Sequence, residues 1–100
     1  MMKAPNNFDE FQETLHLGVP SNTWPVVLQA LWHDANGDWH AAHHLVDQLT
    51  DPMAKWVHAY LHRKEGDEWN AGYWYRQAGR PFPTMGFDEE LKMLVEAVLG

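Results

Sequence analysis

One hundred residues with 45% hydrophobic side chains, six tryptophans among them, suit a single domain that buries a core of its own and argue against disorder. The net charge of −7, from 14 acidic and 7 basic residues, disfavours nucleic acid or an anionic membrane as a partner of the whole surface. The absence of cysteine excludes disulfides and thiolate metal sites.

The chain opens on M-M-K-A-P-N-N, in which residues 1–6 read as a flexible lead-in. Neither an export-type apolar run there nor a stretch near the ~18 apolar residues of a membrane span occurs. A cytoplasmic protein is therefore expected. Asn7 with Glu10 makes a cap signal, and Phe8, Phe11 and Leu15 share the face of a short helix stopped by Gly18 and Pro20. A second helix is expected from about Trp24 to about Ala35, with Pro25 in its first turn, and Asn36-Gly37 ends it. Asp38 caps a third helix to about Leu49, and Asp51-Pro52 opens a fourth to about Glu65. Gly66-Asp67 turns the chain into a fifth helix ending at Ala78. In the last helix, 88–99, Asp88 is the expected cap and Leu91, Leu94, Val95, Val98 and Leu99 form the apolar stripe. No segment carries a hairpin of alternating strands, so the fold class is all-α with about six helices.

Two features set the middle of the chain apart. Met53 to Pro81 holds five basic residues against three acidic ones, whereas the remainder holds two against eleven. A shift of 29 residues also aligns the chain with itself, pairing Ala30 with Ala59, His33 with His62, Gly37 with Gly66, Asp38 with Asp67, Ala42 with Ala71, Gln48 with Gln77 and Pro52 with Pro81. Chance gives roughly one or two such identities over this span. Two helix-turn-helix units are expected, 24–52 and 53–83, with the outer helices covering their open ends.

The small residue midway along each first helix, the Gly-Asp turns, Ala42 and Ala71, and Val46 and Tyr75 four positions later resemble a tetratricopeptide-type hairpin with a 29-residue period. W-V-H-A-Y-L-H-R-K-E-G-D followed by Y-W-Y-R-Q-A-G also resembles a group of small uncharacterised bacterial proteins. The tetratricopeptide resemblance implies that the first helix of each hairpin lines a concave groove, which selects Trp24, Val27, Leu31 and Asp34 from one hairpin and Met53, Trp56, Tyr60, Arg63 and Lys64 from the other, the last four of these as candidate ligand residues. Aromatic rings beside an arginine suit a binding hot spot, and the cations suit a carboxylate or phosphate. The bland alternative is that Trp56 and Tyr60 pack the neighbouring hairpin. Tyr73, Trp74, Tyr75 and Arg76 span a full helix circumference, so at least one large ring must face outward; Trp74 and Arg76 join the candidate ligand residues.

The seven histidines supply the competing reading. His40 and His44, like His58 and His62, are one helical turn apart, and the two pairs are level if their helices pack antiparallel. The helical wheel nevertheless places His40 and His44 outward, His43 at the border of the buried face, and His58 and His62 towards the fifth helix, with Tyr75, Trp74 and Glu65 as partners. His43, His58 and His62 are the metal candidates, and a structural histidine pair is the alternative. A single serine, Ser21, and no glycine-rich phosphate loop leave no nucleophilic or phosphate-transfer arrangement, so no catalytic residue and no cofactor is expected. The expected function is a non-enzymatic module for an acidic peptide, a protein partner or a small anion, with a homodimer open to it. The alternative is a small His-centred metal protein, with hydrolysis as its extension.

Overall fold

The predicted punctuation sets the helix boundaries in a computed structural model of the chain, which describes residues 4–100. Of the lead-in expected over 1–6, residues 1–3 lie outside the described residues. Six α-helices and no strand occur among the described residues: α1 Phe8–Glu13, running on into a 3-10 turn at Thr14–His16, α2 Val26–Ala35, α3 Trp39–Val46, α4 Pro52–Lys64, α5 Glu68–Ala78 and α6 Phe87–Leu99. The Asn7 side chain accepts from the Glu10 N–H, and Asp38, Asp51 and Asp67 cap α3, α4 and α5 by accepting from Ala41, Ala54 and Asn70. Each cap satisfies an otherwise orphaned first-turn donor.

The Gly-Asp turn is built twice in the same way. Gly37 and Gly66 take φ of +84° and +87°, a region other residues avoid. Behind them the Asp38 N–H donates to His33 O at 2.9 Å and the Asp67 N–H to His62 O at 3.0 Å. α2 with α3, and α4 with α5, thus form two helical hairpins, and α4 also packs on α2 and α3.

Three boundaries differ from expectation. Pro25 is the N-cap of α2 and not its first-turn residue, accepting from Leu28 and Gln29. α3 ends at Val46 because the chain turns through a Leu49 N–H to Val46 O bond before Asp51. α6 begins at Phe87 with Gly86 as its N-cap, and Asp88, Glu89 and Glu90 fill the first turn, where carboxylates oppose the positive end of the helix.

The larger difference concerns α6. It does not close one end of a stack; it lies on α2 and α4 and meets α1. Its stripe of Leu94 and Val95, with Leu91, Val98 and Leu99, joins one core with Phe11, Leu28, Leu31, Trp56 and Tyr60. α6 thus covers the face of α2 and α4 that the resemblance reserves for a groove, and apolar area buried in this way gains roughly 25 cal/mol per Å2. No helix among the described residues is long and apolar enough to cross a membrane.

Candidate metal centre

α4 positions everything that follows, because it is enclosed on several sides. Ala54 and every residue from Trp56 to Leu61 are buried. Polar side chains on this helix therefore need designated partners.

On the side facing α6, Trp56 and Tyr60 are 3% and 1% exposed. Glu90 of α6, itself buried, accepts from Trp56 Nε1 at 3.1 Å and from the Tyr75 hydroxyl at 2.6 Å through Oε2, and from Arg63 through Oε1 at 2.8 Å. Arg63 also donates to Met85 O. Burial, then the bond to Glu90, push the Tyr75 hydroxyl well above its ordinary range. Lys64 pairs with buried Asp34 of α2 at 3.0 Å. The four candidate ligand residues of the expected groove, Trp56, Tyr60, Arg63 and Lys64, are thus placed in the core or in ion pairs that fasten α2 and α6 to α4. Sequence reasoning did not include Glu90, since an acidic residue in a helix first turn reads as solvated.

The histidines lie on another side of α4. His43 of α3 reaches His58, with Nε2 to Nε2 at 3.1 Å, one imidazole donating to the other according to tautomer. Each of His43, His58 and His62 offers a ring nitrogen, and the three atoms lie within 4.8 Å of one another. His62 Nδ1 donates to Glu65 Oε2 at 2.6 Å, and His43 Nδ1 lies 4.0 Å from Asp47 Oδ2. Two tryptophans bracket the group. Trp39 stacks on His43 with centroids 4.8 Å apart and donates from Nε1 to Leu61 O at 2.6 Å, while Trp74 stacks on His58 at 4.2 Å. His58 is buried, and His43 and His62 are half-buried.

No family model, curated protein or solved structure matches this chain. The chemistry of the site has to be read from its own atoms.

Burial, followed by the nearby His43 and His62, lowers the His58 pKa to about 4. Burial, followed by His62, also lowers that of His43. Both rings are therefore neutral near pH 7, the form that binds a metal ion. Tetrahedral coordination at Zn–N distances of about 2.0–2.1 Å separates two ligand nitrogens by about 3.3 Å, close to the 3.1 Å between His43 and His58. A carboxylate on one ring nitrogen of His62, here Glu65 on Nδ1, is the kind of support that fixes tautomer and orientation in metal-bound histidines.

The three candidates named from sequence come together, while His40 and His44 are exposed as expected. His58 meets Trp74 of α5 as expected, and in addition meets α3. Tyr75 is not its partner. Trp39 escaped sequence reasoning, although its i, i+4 spacing to His43 is the signal that could have found it. Of the outer candidates, Trp74 is held in the histidine stack and Arg76 is exposed; Trp69 is the most exposed aromatic, at 77%.

Proposed function

We propose that this chain binds a divalent transition-metal ion, with zinc the best match, through His43, His58 and His62. The observation that carries the reading is the convergence of three imidazole nitrogens within 4.8 Å, two of them facing each other at 3.1 Å. An all-imidazole donor set suits zinc, copper or nickel and is poor for magnesium or calcium. Three ligands leave the fourth position of a tetrahedral ion to water or an exogenous group. Because His43 belongs to the first hairpin and His58 and His62 to the second, a bound ion would join the two. The peptide- or anion-binding role through Trp56, Tyr60, Arg63 and Lys64 has less support, since those groups are already occupied by α6 and by Asp34.

The test is thermal unfolding in EDTA and then with zinc in slight excess, together with the metal content of the purified protein. A ligand present at about 100 times its Kd adds about 2.7 kcal/mol to the folded state, or roughly 10–20 °C for a domain of this size. The rise should vanish in His43→Ala, whose half-exposed ring can be removed without opening the core, and persist in His40→Ala/His44→Ala. Glu65→Gln should weaken zinc affinity about tenfold. No shift in the wild type, or an equal shift in His43→Ala, would leave the cluster a structural stack.

A further inference from the structure

The connection from α5 to α6 folds over the opposite side of α4 and leaves a cavity of about 80 Å3. Its apolar wall is formed by Trp56, Pro81, Pro83, Met85 and Met93, and it opens to solvent beside the exposed Arg80 and Met93. Two polar features define its chemistry. Glu90 lines it, but this carboxylate already accepts from Trp56, Tyr75 and Arg63, and its charge is balanced by Arg63 at 2.8 Å. Arg80 lies over the Trp56 ring, Cζ 3.3 Å from its centroid, and makes no side-chain hydrogen bond or ion pair among the described residues. An arginine held against an aromatic face keeps its N–H edges available for a planar anion. Arg80 is therefore a cation with no carboxylate partner of its own among the described residues, set beside an apolar wall.

We propose that this cavity binds a short-chain monocarboxylate, its carboxylate on Arg80 and its alkyl chain against Trp56, Pro83 and Met93. The site is independent of the histidine cluster and does not rest on metal binding. Length follows from volume: about 80 Å3 is roughly half the ~150 Å3 that takes up a six-carbon ring, which leaves room for about three carbons beyond the carboxylate. Butyrate is the matching size. Charge follows from Arg80, because an ammonium at the same place would face an unpaired guanidinium.

The experiment follows the Trp56 indole N–H resonance of the full chain in EDTA during titration with sodium acetate, propionate, butyrate, valerate and octanoate at constant ionic strength. n-Butanol and butylammonium are the uncharged and cationic controls. Butyrate should shift the resonance saturably with a Kd on the order of 1 mM. Affinity should improve about fourfold per methylene from acetate to butyrate and level off by valerate. Arg80→Gln should weaken butyrate about tenfold, the loss of one charge-assisted contact. Met93→Trp, which fills the cavity and leaves Arg80 in place, should abolish the shift. The proposal is overturned by no saturable shift below about 50 mM. It is overturned equally by n-butanol binding as well as butyrate, by an unchanged Kd in Arg80→Gln or Met93→Trp, or by affinity that keeps rising to octanoate, the mark of an open apolar surface.

Discussion

Acidification of the metal-free protein from about pH 7 to about pH 5 should lower its stability through His58. Burial is the largest cause of its depressed pKa and the neighbouring His43 and His62 add to it, while Asp47 acts weakly the other way. The folded-state value of about 4 lies below the ordinary 6.5, so between the two the unfolded chain binds more protons. Stability from this group is accordingly present above 6.5 and lost as the pH falls through that window towards 4. At full strength the linkage relation gives a loss of about 1.8 kcal/mol over the two pH units. Water reaching the cluster past His43 and His62 screens it, and about 1 kcal/mol is the better figure, or 4–8 °C in a domain of this size. The assay is circular dichroism melting in EDTA at both pH values for the wild type and His58→Phe. The variant keeps a ring against Trp74 and has no proton to gain. All other ionisable groups are common to both proteins, so the difference between the two pH dependences reports His58 together with its partner His43. Equal pH dependence in wild type and variant would refute the reasoning.

Two further substitutions test how the hairpins are fastened. Glu90→Gln keeps the shape of the side chain and removes the charge opposite Arg63, and should cost about 2–4 kcal/mol in denaturant unfolding. Adding Arg63→Met to that variant should cost far less than Arg63→Met alone, a coupling of about 2 kcal/mol; additive effects would show that the pair is not interacting. Gly37→Ala and Gly66→Ala should each cost about 1–2 kcal/mol through backbone strain alone, because an added Cβ at either position meets nothing within 4 Å. Equal costs that add in the double variant are expected if the two turns are equivalent and separate; unequal ones would deny the equivalence.

Most helix boundaries were legible because their causes are local. Asn7, Asp38, Asp51 and Asp67 each cap with the side chain that the sequence offers, and Gly37 and Gly66 adopt the conformation that makes glycine useful at a helix end. The position of α6 was not legible. Its apolar stripe requires a partner surface but cannot say which one, and the contacts that decide it, Glu90 with Arg63 and Trp56, join residues 27 and 34 positions apart. A carboxylate buried by three donors has the same sequence signature as one dissolved in water.

The histidine cluster was legible as a set of residues but not as a contact. The sequence levels His40 and His44 with His58 and His62 across an antiparallel pair. The wheel sets His40 and His44 outward and leaves His43 at the border of the buried face; in the structure Trp39 and His43 lie beside buried Ala42 and Val46, with the Trp39 indole N–H on Leu61 O and its ring over His43. A wheel drawn for α4 turns His58 towards α5, where it meets Trp74, but does not give its contact with α3. Amphipathic patterning assumes one wet side, whereas this helix is met by α2, α3, α5 and α6. Three of its polar residues are consequently matched to different neighbours, His58 to His43, Arg63 to Glu90 and Lys64 to Asp34. Of these three pairings only the first is uncharged in its resting form, leaves ring nitrogens unbonded to carboxylate, and gathers a third donor. That difference is why the proposed metal site is placed on the histidines and not on the two ion pairs.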